Sequence, residues 1–303
     1  MTKKLLLGGL ALSSVLSAVA ANAADLPPAP PVAVPASSWT GFYAGGNIGY
    51  SFGNVRTDLS GSVNSISFPG VLPITNAPAP FADSSSQRLN GVIGGGQIGL
   101  NYQFNPKWVL GLEFDIQGSG ERDSRTVIDP FSATVCIIAL AGPICGLTGV
   151  GTGTATTGYD AKIDWFGTAR GRLGYLINDQ ILLYATGGLA FGNVKLSGAT
   201  AAAVVNLGTP ITPAPAAFSG SKTNAGFAVG GGIEGRFLYS LSPGWTWKVE
   251  YLYVDLGSLD TVTPGTSPPP TAISSFSSSF GTVTTHTHFT DNVVRVGLNY
   301  KLF

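Results

Sequence analysis

Charged residues recur at every second position in several places along this chain: Glu113 and Asp115; Asp160, Lys162 and Asp164; Arg170 and Arg172; Glu234 and Arg236; Lys248 and Glu250. A spacing of two puts each set on one face of a β-strand. Arg295 stands in a similar alternating run near the C-terminus. Together these are six acids and six bases. Paired carboxylates could do acid–base catalysis, but one of them must then be poised near the working pH. Matched Lys and Arg hold neighbouring carboxyls ionised instead. The remaining chemistry is ionic: a charge-lined pore that selects ions, or a balanced ion-pair network filling an interior. A balanced set has no sign bias with which to select an ion, so the network is the expectation.

Other constellations add little chemistry. The chain has two histidines, His286 and His288, both in one segment. A Ser–His–Asp set is not expected, and no enzymatic activity is assigned. Their spacing puts both imidazoles on one strand face, where a metal or haem iron could be held. Two ligands fall short of a site, so no metal and no cofactor is assigned. Gly94–Gly99 and Gly230–Gly235 each match G-x-G-x-x-G. A dinucleotide loop needs a strand before it and a helix after it, and both runs continue in period two. They read as small strand residues that leave room for large neighbours. Cys136 and Cys145 have eight residues between them, none of them His, Asp or Glu. In an exported chain such a pair forms a disulfide closing a small loop; reduced thiols are the alternative.

The elements that position these residues are strands. Period-two alternation begins at Trp39 and recurs in eight segments: 40–54, 89–104, 108–117, 159–175, 181–194, 224–239, 245–256 and a last one running to Phe303. Each sets an apolar or glycine face against a polar or small one. Three connections are short, at 105–107, 178–180 and 240–244. Four are long, at 55–87, 118–158, 196–221 and 257–286. Short and long alternate strictly, as periplasmic turns and external loops do in outer-membrane barrels. The fold class is therefore all-β: a single eight-stranded antiparallel up-and-down transmembrane β-barrel, with four long external loops and three short periplasmic turns. Tyr102, Phe104, Trp108, Tyr175, Tyr239, Trp245 and Tyr300 fall beside the short turns. Phe52, Phe114, Trp165, Phe191 and Tyr253 fall about ten residues higher, as a second aromatic girdle would. Counted from the short turns, Glu113, Arg170, Glu234, Glu250 and Arg295 lie at similar height. An eight-stranded interior is only wide enough for side chains to fill it.

Composition and the N-terminus agree. Lys3 and Lys4 precede an apolar run and an Ala21-Asn22-Ala23 cleavage pattern, which is a signal peptide over 1–23 cut after Ala23. Residues 24–38 are a proline-rich periplasmic tether, and 39–303 the barrel domain. Charged residues are 11% of the chain, where soluble domains carry about 25%. Glycine, 42 of 303, is about double its usual share of roughly 7%. Mean hydropathy is +0.27, yet no stretch after the leader is long and apolar enough for a membrane helix. Closure into a barrel is the other way to satisfy backbone groups in lipid. Once Lys3 and Lys4 leave, acids exceed bases by 16 to 14, which argues against a nucleic-acid partner.

The segments ADLPPAPP, WTGFYAGGNIGYSFG, WFGTARGRLGY, LLYATGGLAFG, VEYLYVDLG and DNVVRVGLNYKLF resemble the alphaproteobacterial small outer-membrane proteins. These are often called outer-membrane immunogenic or porin-family proteins. The likeness covers the strands from Trp39 to Phe303 and none of the loop sequences. It implies an OmpA-like barrel in the cell outer membrane, a surface-antigen character and at most a small-solute porin role. It also implies a C-terminal insertion signal, here Tyr300 and Phe303, with one residue more between the aromatics than the alternation allows. Phe303 therefore falls off the outward face, or the last residue twists.

Three functions follow as expectations. The first is a surface-exposed anchor whose interior is plugged by ion pairs. The second is a narrow porin for passive diffusion of small solutes, and the third is loop-mediated capture of a ligand such as haemin. The expected partners are outer-membrane lipid and lipopolysaccharide, the barrel-assembly machinery during insertion, and host or envelope partners at the loops.

Overall fold

The computed structural model describes residues 38–67, 79–139, 145–206, 209–211, 215–237, 244–265 and 277–303. The leader, its cleavage site after Ala23, the tether up to residue 37 and Tyr239 lie outside these residues, as do the side chains of Cys136 and Cys145.

The alternating segments form strands β1 (Gly41–Ser67), β2 (Ala79–Asn105), β3 (Trp108–Ser119), β4 (Arg122–Ala139), β5 (Cys145–Asn178) and β6 (Ile181–Asn206). They continue as β7 (Thr209–Ile211), β8 (Ala216–Arg236), β9 (Trp245–Thr263), β10 (Ser277–Phe280) and β11 (Val283–Lys301). All pairings are antiparallel, and the ring closes because β1 pairs both β2 and β11. β3 and β4 share the neighbours β2 and β5, so they are one stave interrupted at Gly120 and Glu121. β7 only extends the edge of β6, and β10 that of β1. Among the described residues the ring then has eight staves, in up-and-down order.

The staves are longer than the alternation of apolar residues indicated. Residues 55–63 and 79–87, expected in a long connection, continue the β1–β2 ladder through Val63 and Ala79. The β4–β5 pair likewise runs on through most of the second connection, and the β6–β8 and β9–β11 pairs continue into parts of the other two. The reason is a change of facing. Lower on β1, Phe42, Ile48, Tyr50 and Phe52 point outward and are exposed, while Tyr43 and Ser51 point inward. From Val55 upward the apolar residues Val55 and Leu59 point inward, and Arg56 and Asp58 point outward. β11 does the same: Leu298, Val296 and Val294 face out, then Phe289 and Val283 face in. Outward apolar residues give way at this point, although the ladder continues.

The exposed apolar band is continuous around the lower barrel, far beyond the patches a water-soluble surface carries. Aromatic pairs bound it. Trp108–Tyr175 and Trp245–Tyr300 pack at 5.2 Å between ring centres at the short-turn end. Trp165–Phe191 at 6.3 Å and Phe227–Tyr253 at 6.0 Å mark the upper edge. At the C-terminus, β11 ends at Lys301, and the Leu302 amide donates to the Phe42 carbonyl at 2.8 Å. Tyr300, Leu302 and Phe303 are all exposed, and the Phe303 ring packs on Phe42. The last residue twists to bring its aromatic outward.

One bulge matters for the site. Register shifts between Ile163 and Trp165, leaving Asp164 unpaired. An extra residue flips the facing of everything beyond it. Below the bulge Phe166, Thr168, Arg170 and Arg172 point inward; above it Ile163, Ala161 and Tyr159 do.

Candidate functional site

The alternating charges converge inside the lower barrel. Register levels them: Glu113 on β3 faces Arg170 on β5, Glu234 on β8 faces Lys248 on β9, and Glu250 faces Arg295 on β11. Each is at most 2% exposed. Charges so desolvated are tolerable only when paired and hydrogen-bonded, and here they are. Arg170 Nη2 reaches Glu113 at 2.6 Å and Asp115 at 2.9 Å, and its Nη1 reaches Glu250 at 3.0 Å. Arg295 Nε donates to Glu250 at 2.7 Å and its Nη2 to Asp115 at 3.0 Å. Lys248 Nζ sits 2.9 Å and 3.0 Å from the two Glu113 oxygens. Arg172 Nη2 donates to Glu234 at 2.5 Å, under the Tyr184 ring at 4.1 Å. Four acids thus meet four bases.

Neutral groups add hydrogen bonds to these carboxylates. The Tyr43 hydroxyl donates to Glu113 at 2.7 Å, and the Tyr184 hydroxyl to Glu250 at 3.0 Å. An amide chain runs from Asn47 to Gln97, from Gln97 to Asn299 at 2.7 Å, and from Asn299 to Glu234 at 3.0 Å. The two glycine runs serve this layer. A Cβ at Gly99 would lie 2.3 Å from the Tyr43 ring, and one at Gly232 2.8 Å from the Tyr184 hydroxyl. Gly99 and Gly232 are sockets for two tyrosines.

Apolar clusters lie at both ends of the ion pairs. Toward the short turns, Trp39, Val109, Leu176 and Leu182 pack together. The Trp39 indole donates to the Asp179 carbonyl at 3.4 Å, and the Arg236 guanidinium stacks 4.5 Å over its ring. Toward the long hairpins, a larger cluster includes Leu89, Ile93, Phe166, Leu252, Phe289 and Val293.

Four residues expected in the interior network are elsewhere. Asp160 and Lys162 are exposed and Asp164 is half-buried, all on the outer wall, because the bulge at Asp164 reverses their facing. Arg236 sits at the lower mouth on Trp39, below the network. Two acids were not anticipated. Glu121 and Asp291 are buried between the ion pairs and the upper apolar cluster, with their carboxyls within hydrogen-bonding reach of each other. The Ser51 hydroxyl donates to Asp291, and that of Ser119 to Glu121 at 2.9 Å. Neither acid has an ion-pair partner among the described residues. Both keep the inward phase of their strands, at even spacing from Asp115 and Arg295 respectively, so the phase alone could have found them.

The histidines do not converge. His286 Nδ1 contacts Asp260 at 2.5 Å, while His288 Nε2 lies 3.3 Å from Asp255 and its Nδ1 3.1 Å from Ser258. Among the described residues no group of three or more His, Cys, Asp or Glu is placed to hold a metal. Nearby on the outer wall, the Ser84 hydroxyl and the Arg56 guanidinium hold the Asp58 carboxyl below the usual carboxylate range.

A family model described as outer membrane protein beta-barrel domain matches residues 10–301. The chain is 35% identical over 304 aligned residues to the 31 kDa outer-membrane immunogenic proteins of Brucella melitensis and Brucella suis, covering 99% of both chains. A 22 kDa outer membrane protein of Rhizobium leguminosarum is 28% identical, covering 75% of this chain and 68% of that one. Among solved structures, Ail, the attachment invasion locus protein of Yersinia pestis, overlaps loosely: 14% identity, TM-score 0.29, over 84% of this chain and 99% of that one.

Proposed function

The chain belongs to the outer membrane β-barrel proteins and resides in the outer membrane, and on that premise we propose that it is a closed anchor that holds extended hairpins at the cell surface. The observation that carries this reading is the filled interior. From the short-turn end upward come an apolar cap, a neutral ion-pair layer and a large apolar cluster. A continuous water path through these layers would need hydrated charges, and the paired charged side chains are at most 2% exposed.

The orientation follows from length. The short turns face the periplasm, as they do in outer-membrane barrels, and the long hairpins project outward. There they present a surface to the outside, in keeping with the name outer-membrane immunogenic protein that the Brucella relatives carry. Lipid around the apolar band and the barrel-assembly machinery during insertion are the partners of such an anchor. Envelope or host molecules are the partners of its hairpins. Loop capture of haemin gains nothing from the histidines, which engage different aspartates. No step of chemistry is assigned: the carboxylates of the ion-pair layer are each matched by Arg or Lys, and the Glu121–Asp291 pair is buried.

Conductance of the purified protein in planar bilayers tests the reading. A closed anchor gives no sustained openings. Long-lived openings whose conductance rises in proportion to salt would overturn it in favour of a narrow porin.

A further inference from the structure

Three cations line up on the outer wall just above the upper aromatic girdle. Arg122 on β4 is the register partner of Lys162 on β5, and Lys162 is the partner of Lys195 on β6. Register partners hold their side chains about 5 Å apart on the same face, and like charges so placed repel. One carboxylate relieves part of this: Asp164 Oδ1 lies 2.6 Å from Lys162 and its Oδ2 2.6 Å from Lys195. That acid is the residue pushed out by the bulge, so the strand irregularity supplies the bridge. Arg122 is exposed and has no side-chain partner among the described residues, and both lysine side chains are about half exposed. The bulge also turns Lys162 outward, where unbroken alternation would have buried it.

Height selects the occupant. Trp165 and Phe191 pack against each other on the same two strands, a few residues below Lys162 and Lys195. Aromatic girdles sit at the level where acyl chains give way to headgroups. A cation row directly above them, on the lipid-facing wall, lies at headgroup depth. Basic groups at that depth are drawn to anionic lipid.

We propose that Arg122, Lys162 and Lys195 form a docking row for phosphate groups on the headgroup of the outer-leaflet glycolipid. A phosphate seated between Arg122 and Lys162 relieves the repulsion that Asp164 leaves standing, and an arginine can take it through two parallel N–H donors. This rests on the external orientation given under the proposed function. It adds a lipid contact confined to one side of the barrel.

The test uses the full-length mature protein in neutral detergent with three probes: a bis-phosphorylated lipid A, its dephosphorylated counterpart and a soluble hexose 1-phosphate. The parent binds only the phosphorylated lipid, and more weakly as salt rises. The variant Arg122→Gln/Lys162→Gln/Lys195→Gln binds it about 100-fold less tightly, while Lys162→Arg/Lys195→Arg retains binding. A folded-form band on unheated SDS gels shows that each variant is intact. Equal affinity of parent and triple Gln variant, or of the two lipids, overturns the proposal. So does equal binding of the soluble sugar phosphate, which would make the site one for free phosphates. None of these outcomes alters bilayer conductance, so a failed lipid site and a failed closed-anchor reading are separable.

Discussion

The barrel interior is filled twice, by opposite means. In the lower half the lumen is packed with Glu113, Arg170, Lys248, Glu250 and Arg295, and the wall is apolar outside. In the upper half the lumen is packed with Leu89, Phe166, Leu252 and Phe289, and the wall carries Arg56, Asp58, Lys162 and Lys195 outside. The same strands build both. What changes is the medium against the outer face. Where that medium is hydrocarbon, the outward positions take the apolar residues, and the inward ones are left to polar groups that must satisfy each other. Where the medium is water, the ordinary preference returns, with apolar residues inside. Each strand is a membrane wall for part of its length and a soluble β-barrel for the rest.

Removing one member of the charged layer should do the most damage. Glu113 neutralises Lys248 and shares Arg170 and Arg172. Glu113→Gln leaves buried cations short of a counter-charge and should lower stability by about 3–5 kcal/mol, read as a shift in urea unfolding from lipid vesicles. Phe289→Ala empties a fully buried site in the upper cluster and should cost about 3 kcal/mol by the same assay. The outer faces separate the halves more sharply. Ile48→Arg, within the apolar band, should cost about 2–4 kcal/mol. Ser84→Arg, on the wetted wall of the neighbouring stave, should stay within about 0.5 kcal/mol. Glu121→Gln should have the smallest effect, also within about 0.5 kcal/mol. Its carboxyl faces another acid with no cation beside it, and an amide donates to Asp291 without needing a shared proton. A loss of several kcal/mol at Glu121 would mean that its charge is matched by a group outside this account.

Much of this was legible in the sequence, and the misses share a cause. The antiparallel ring, its up-and-down order and the outward face from Phe42 to Phe52 follow from period two alone. So do Glu113, Arg170, Glu234, Glu250 and Arg295, whose distance from the short turns sets their height. The upper staves were missed because an apolar outward face marks a strand only in lipid. At Val55 and Leu59 the alternation persists with its sense reversed. Asp160, Lys162 and Asp164 were misplaced because period two has no memory of a bulge.

The reversal and the filled lumen meet on β1, so that strand gives the most direct measurement. Single nitroxide labels at positions 42 to 60, with Cys136 and Cys145 replaced by Ser, report collision with oxygen in lipid and with a nickel chelate in water. The account predicts oxygen-accessible labels at even positions 42–52, nickel-accessible labels at even positions 54–60, and odd positions shielded from both throughout. Nickel access at odd positions such as Ser51 or Val55 would mean a hydrated lumen and would contradict it.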